Sequence, residues 1–219
     1  MVARKYKDEV CIVLVGGGGH CRACLEVIEA SGRFRVAGIV DQPQRVGEQV
    51  NSRNAITHED SDLPMLARAA HKFLITVGQI ESGERRESLF DRVTELGGTF
   101  AVVVAPSAYV SRESQIGPGT IIMNGALVNS AAAVGSNCIV NNHAIVEHDV
   151  EVGSHSHIST GAIVNGQARI GARCFVGSHA VVAQGVTVTQ SCIIGAGTVV
   201  IRDLEEPGVY AGNPARRIR

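Results

Sequence analysis

The chain has 219 residues and a formal net charge of −1, with 20 Lys and Arg set against 21 Asp and Glu. That balance excludes any global attraction to nucleic acid or an anionic membrane surface. Aromatic residues are only 4%, Trp is absent and Gly numbers 25, so a core must be assembled from Val, Ile, Ala and other small side chains, over a length that allows one large domain or two small ones.

The first ten residues are charged, and the apolar run Cys11 to Val15 is far too short for a signal peptide or a membrane span. The expectation is a cytoplasmic protein whose six cysteines remain reduced thiols. Cys11 to Val15 reads as a short strand, Gly16 to His20 as a loop, Ala23 to Ala30 as a helix, and Phe34 to Val40 as a second strand ending at Asp41. Residues 41–62 are polar and read as a mobile loop. Leu63 to His71 and Glu84 to Leu96 suit helices, while Phe73 to Val77 and Thr99 to Val103 suit strands. Strands alternating with helices predict a parallel sheet, here a small Rossmann-like α/β domain over residues 1–105. Pro106 begins the handover to a second domain, 106–219.

The glycine run Gly16 to Gly19 follows a strand and opens a helix. Backbone N–H groups and a helix N-terminus can hold phosphate at such a place. It is not a full dinucleotide fingerprint, because Cys21 occupies the third glycine position. Asp41 ends the next strand, where an acidic side chain can bind a ribose hydroxyl. A tight turn that merely tolerates glycine is the plain alternative, but four successive glycines exceed its needs. Gly17, Gly18, Gly19, His20 and Asp41 form the candidate nucleotide-binding set.

The second domain is governed by a repeat. Every sixth residue from Ile116 to Val200 is Ile or Val, without a slip, and backward steps add Val110 and Val104. Four residues after each of these lies a second phase, Thr120, Ala126, Ala132, Cys138 and onward to Thr198, always small or Val. Neither a period of 3.6 nor simple alternation produces this pattern. It suits a three-sided coil of short strands, about eighteen residues per turn, with the aliphatic side chains stacked inside a prism. Gly117, Gly135, Gly153 and Gly171 recur once per coil, as expected of corners needing backbone freedom. Cys138, Cys174 and Cys192 fall on the small-residue phase and are expected to pack in the core.

A short α/β domain carrying Gly-Gly-Gly-Gly-His, followed by a hexapeptide repeat containing Val146-Glu147-His148-Asp149, resembles the bacterial nucleotide-sugar acyltransferases. These include UDP-4-amino-sugar and GDP-perosamine N-acetyltransferases and sialic acid O-acetyltransferase-like relatives. The resemblance covers essentially the whole chain and implies a left-handed β-helix, a hand that the period alone does not give. It implies a homotrimer with acetyl-CoA, as co-substrate, in the groove between adjacent β-helices. The nucleotide-sugar would sit on the N-terminal domain. By the same resemblance His148 is the catalytic base within Glu147-His148-Asp149, and Asp149 orients it. His157, Gly166 and Asn141 face the acetyl-CoA, and the ending Tyr210 to Arg217 packs near the CoA nucleotide, a placement in which the basic tail of Arg216, Arg217 and Arg219 would meet the CoA phosphates. Arg86 resembles an arginine of the nucleotide-sugar site.

These residue types fit acetyl transfer. A sugar amine, largely protonated near neutral pH, must lose a proton to attack a thioester, and histidine suits that step. A neighbouring carboxylate fixes the tautomer, and a backbone N–H, assigned to Gly166, can stabilise an oxyanion. Direct attack needs no covalent enzyme intermediate. Transfer to a sugar hydroxyl, as on a sialic acid, is the nearest rival. A γ-type carbonic anhydrase is weaker: His143 and His148 have a suitable spacing, but Ser107 occupies the place of the third zinc ligand, so no metal is expected. A non-catalytic β-helix is the remaining alternative. Cys21-Arg-Ala-Cys24 reads as core lining, and His58, His71, His155 and His179 as surface residues. His143 stays open, close enough to His148 along the chain to face the same groove.

Overall fold

The computed structural model describes residues 10–69, 71–80 and 82–219. The chain divides into two compact units, one comprising the chain up to Gly78 with Ser88–Ala101, the other Gln79–Glu87 with Val102–Arg219. The expected division at 105/106 thus differs at two points. The segment Gln79–Glu87 clusters with the repeat, and the predicted strand Thr99 to Val103 splits. Thr99–Phe100 pairs in the N-terminal sheet, whereas Val103–Val104 pairs with Ile121–Ile122 of the repeat.

In the first unit, β1 (Val10–Val15), β2 (Phe34–Asp41), β3 (His58–Glu59), β4 (Lys72–Ile75) and β5 (Thr99–Phe100) form a parallel sheet in the order β3-β2-β1-β4-β5. Helices α1 (Gly19–Ser31), α2 (Leu63–Arg68) and α3 (Glu84–Glu95) alternate with the strands. Val13, Val15 and Val40 of β1 and β2 pack with Phe73, Ile75, Leu63, Leu66 and Val93. Cys21 and Cys24 are fully buried on α1, as expected. Residues 41–62 are not a structureless loop. They bury Val50 and Ile56, close a bridge between Gln49 and Ala55, and supply edge strand β3. Two buried aliphatic side chains inside a polar segment were enough to fold it onto the sheet.

The second unit is a prism of two-residue strands. Each strand pairs in parallel with the strand eighteen residues away, as in Ile121–Ile122, Ile139–Val140 and His157–Ile158. Three stacked sheets result. Face one runs from Val103–Val104 to Arg216–Arg217, face two from Tyr109–Val110 to Val199–Val200, and face three from Gln115–Ile116 to Thr187–Val188. Both phases of the six-residue pattern point inward. Val146, Val164, Val182, Ala144, Ala162 and Ala180 are fully buried, as are Cys138, Cys174 and Cys192.

The recurring glycines have a different cause from the one expected. Gly117, Gly135, Gly153 and Gly171 do not have positive φ. A Cβ on Gly153 would lie 2.4 Å from the Ala172 backbone nitrogen, and one on Gly135 would lie 2.6 Å from that of Ser154. Successive coils touch backbone to backbone there, and only hydrogen fits between them. The left-handed corners are a separate series, every sixth residue from Gly119 to Gly197. It includes Asn137, His143, Asp149, His155 and His179, with φ between 54° and 61°. Asn, Asp and His are the non-glycine residues that tolerate this region best.

Candidate active site

The glycine loop is built on two contacts. Gly16, at φ 108°, leaves no room for a Cβ beside Val77 Cγ2 at 2.5 Å, and a Cβ on Gly17 would meet Ile56 Cδ1 at 2.6 Å. Gly18 and Gly19 face open space. Helix α1 begins at Gly19, four residues before the expected start, so Gly18 is its N-cap and His20 lies in its first turn. No side chain caps this end and no acidic residue sits in its first turn, leaving N–H donors for an anion. Asp41 is buried, and its Oδ2 accepts from the Gly17 N–H at 2.7 Å and from Arg45 Nη1 at 2.5 Å. Its Oδ1 accepts from the Gln42 N–H at 2.8 Å. Asp41 therefore holds the loop in place, and its expected partner, a ribose hydroxyl, would meet a carboxylate already engaged.

Arg86 requires a correction. Expected at the nucleotide-sugar site, it is 1% exposed, and its Nε donates to the Asn137 carbonyl at 3.2 Å. Asn137 Nδ2 returns a bond to the Arg86 carbonyl at 3.3 Å. A guanidinium so enclosed anchors the segment 79–87 on the β-helix and is closed to a ligand.

His148 and Asp149 come together at the corner between face two and face three. His148 Nδ1 lies 2.9 Å from Asp149 Oδ2, and both side chains are half exposed. A carboxylate only accepts, so Nδ1–H donates and Nε2 is the ring nitrogen not engaged by Asp149. Asp149 reaches this position from left-handed backbone, φ 58°. Gly166, one coil further, lies against the ring: a Cβ there would be 2.6 Å from His148 Nε2. Glu147 is turned away from the imidazole, its Oε2 accepting from Asn129 Nδ2 at 2.7 Å.

His157 and Asn141 lie elsewhere, on face one. They line a groove of about 550 Å³ with Ile80, Phe175, Ile193 and Arg219. His157 is buried. Its Nδ1 meets the Gln79 carbonyl at 2.8 Å, its Nε2 meets Asn141 Nδ2 at 3.1 Å, and its ring stands edge-on to Phe175 at 5.2 Å. Burial pushes its pKa down to about 4; the bond to Gln79 opposes this and the Arg86 charge adds to it. His148 and Asp149 do not line this groove. Asp149 borders a separate depression of about 720 Å³ with Gln167 and Arg169. A single chain thus presents the two expected halves of the site on different faces.

Among the tail arginines, Arg219 borders the groove. Arg217 is tied to Glu206 and to the Pro207 carbonyl, and Arg216 is exposed on the last strand. His143 packs over Gly125 and His179 over Gly161, each one coil back. His155 Nδ1 lies 3.0 Å from Asn137 Nδ2. Ser107 Oγ is hydrogen-bonded to Asn124 Oδ1 at 3.0 Å. No group of three or more His, Cys, Asp or Glu is gathered for a metal among the described residues, and no helix among them is long and apolar enough to cross a membrane. All six cysteines are free thiols. Sequence reasoning missed Ile80 and Phe175 as groove residues. Phe175 could have been found, because it puts an aromatic ring at an outward-facing position of a ring-poor repeat. Gln79 carried no signal, since its partner lies 78 residues away.

Comparison with known proteins supports this architecture. Residues 11–93 match the PglD N-terminal domain, and residues 167–202 match the hexapeptide repeat of succinyl-transferase. The chain is 32% identical over 117 residues to the UDP-N-acetylbacillosamine N-acetyltransferase of Bacillus subtilis (strain 168), a match spanning 51% of this chain and 50% of that relative. The chain thus spans about half the length of that curated relative. The acetyltransferase domain of PglB from Neisseria gonorrhoeae FA1090, solved with acetyl coenzyme A, superposes with a TM-score of 0.87 at 28% identity, covering 96% of this chain and 100% of that one. PerB from Caulobacter crescentus, solved with CoA and GDP-perosamine, gives 0.86 at 30% identity, covering 95% and 97%. With its PglD-type N-terminal domain, its hexapeptide prism and a histidine–carboxylate pair at one corner, the chain belongs to the family of nucleotide-amino-sugar N-acetyltransferases.

Proposed function

We propose that this protein transfers the acetyl group of acetyl-CoA to the amine of a nucleotide-linked 4-amino-sugar in the cytoplasm. The observation that carries the reading is the His148–Asp149 pair, with Nδ1 committed to the carboxylate at 2.9 Å and Nε2 left as base. His148 Nε2 takes a proton from the attacking amine, and Asp149 stabilises the resulting imidazolium, a step worth roughly 10²–10⁴-fold. The Gly166 N–H stands near the thioester carbonyl as oxyanion donor. Acetyl-CoA occupies the groove of Asn141 and His157, with Arg219 and the exposed Arg216 near its phosphates. The open N-terminus of α1 at Gly18 and Gly19 takes the diphosphate of the nucleotide.

The two halves of the acetyl-transfer site lie on different faces of one prism, which supports a homotrimer. His148 of one subunit would then complete the groove of its neighbour. The test is to mix the purified protein with acetyl-CoA and a panel of UDP-, GDP- and dTDP-linked 4-amino-sugars, following thiol release and product mass. Release of CoA with the mass gain of one acetyl group on one sugar, lost in His148→Ala, is expected. No turnover on any amine, with turnover on a sialic acid hydroxyl, would replace this reading. A monomer at all concentrations in sedimentation would remove the shared-site arrangement.

A further inference from the structure

His157 sits inside a chain of three hydrogen bonds whose direction is fixed at both ends. At one end the Asn142 backbone N–H donates to Asn141 Oδ1 at 2.8 Å. A backbone amide can only donate, so that atom is the amide oxygen and Asn141 Nδ2 is the atom turned to His157. Asn141 Nδ2 lies 3.1 Å from His157 Nε2 and brings a proton, so Nε2 must accept. At the other end His157 Nδ1 lies 2.8 Å from the Gln79 carbonyl oxygen. That oxygen can only accept, so Nδ1 must donate. Both constraints independently demand the same tautomer. A proton on Nε2 would point at the Asn141 amide proton.

The donor of this constraint is the segment 79–87, which is itself clamped. Gln79 is 3% exposed, its Nε2 reaches the Cys174 carbonyl at 3.5 Å, and Arg86 anchors the segment at Asn137. The charged groups near His157 are Arg86 and, at the groove, Arg219, both cationic. Phe175 is apolar, and among the described residues no Asp or Glu lines the groove. Of the groups that act on His157, the Gln79 carbonyl favours an imidazolium, while burial and the Arg86 charge oppose it and prevail.

We propose that the Gln79 backbone carbonyl and the Asn141 amide are positioning groups that lock His157 as the neutral Nδ1–H tautomer, making it a fixed hydrogen-bond acceptor and not an acid or base of the reaction. The lock aims Asn141 as well, whose amide nitrogen keeps a second proton for a carbonyl in the groove. That last consequence rests on the groove being the acyl-donor site; the tautomer does not.

The test is a long-range ¹H–¹⁵N correlation of the imidazole rings of the free protein, with His157 assigned by its loss in His157→Asn. His157 should show a protonated Nδ1 and an unprotonated Nε2, constant from about pH 5 to 8, where an ordinary histidine titrates. An Nε2–H pattern, or a titration inside that window, overturns the proposal. In Asn141→Asp the donor becomes an acceptor, so His157 should now be doubly protonated at neutral pH; an unchanged ring would overturn it. Gln79→Ala keeps the backbone carbonyl and should keep the tautomer; a change would move the role to the Gln79 side chain. Should a variant fail to fold, the wild-type spectrum decides alone. All these spectra are taken without acetyl-CoA, so the outcome is separate from whether acetyl transfer is observed.

Discussion

Gly166→Ala is the sharpest perturbation of the site. The new methyl would stand 2.6 Å from His148 Nε2 and 2.7 Å from Cε1, whereas an unstrained contact needs about 3.5 Å. The imidazole must therefore move by about 0.9 Å. Gly166 does not have positive φ, so alanine fits the backbone, and His148 is half exposed and free to swing. The cost in stability should stay within about 0.5 kcal/mol. The swing takes Nε2 off its line and strains the 2.9 Å bond to Asp149. A displacement near 1 Å at a reacting atom costs on the order of 10²-fold in rate. We expect kcat to fall by about that factor with the melting temperature nearly unchanged, and Gly166→Ala to add little in a His148→Ala background, because both changes act through one imidazole. A kcat within about twofold of wild type in a folded Gly166→Ala protein would refute the placement of His148 Nε2 as the base.

Three further outcomes concern His157, Gly153 and Arg86. His157 has a usual pKa of 6.5 in the unfolded chain and about 4 when folded, so on acidification the unfolded state takes up the proton first. Its contribution is intact above about pH 6.5 and falls by about 1.4 kcal/mol per pH unit toward pH 4, some 3 kcal/mol in all. Denaturant titrations at fixed protein concentration should show this slope in wild type and its loss in His157→Asn; equal slopes would exclude it. Gly153→Ala places a methyl 2.4 Å from the Ala172 backbone nitrogen, which cannot step aside, and should destabilise the β-helix by at least about 1–3 kcal/mol in thermal melts. Arg86→Ala removes a buried side chain that bonds the Asn137 carbonyl. It should cost about 2 kcal/mol and leave nucleotide affinity of the folded protein unchanged; a selective loss of affinity would return Arg86 to the ligand site.

The prism was legible because every coil repeats the same burial problem. An aliphatic residue every sixth position and a small one four later have few other solutions, and all of Val146, Ala162 and Cys174 land in the core. The glycine period was legible too, but its cause was not. Periodicity reports that a side chain is forbidden, not whether backbone angle or a neighbouring coil forbids it. His148 with Asp149 could be read locally because the two are adjacent in the chain. Arg86 could not be read this way. Its burial depends on Asn137, fifty-one residues on, and no local pattern encodes that meeting. The polar stretch 41–62 failed for a related reason: Val50 and Ile56 are too few to set a period, yet their burial decides the fold of the segment.

Two histidines nine residues apart illustrate how one repeat yields two chemistries. The hexapeptide step places His148 on a corner, where the backbone turns out into solvent and a left-handed Asp149 can bend back to its Nδ1. It places His157 within a strand, bonded to the Gln79 carbonyl and beside Phe175, where burial disfavours a charge. Exposure and an adjacent carboxylate suit the first imidazole to the proposed role of base. Enclosure between a carbonyl and an amide denies that to the second. His148 is half exposed and bonded to a carboxylate, whereas His157 is buried between a carbonyl and an amide; the proposed division therefore gives proton transfer to His148 and a fixed hydrogen-bonding surface to His157. If the roles were reversed, His157→Asn would abolish turnover as completely as His148→Ala. On the present geometry it should weaken acetyl-CoA binding more than it slows the chemical step.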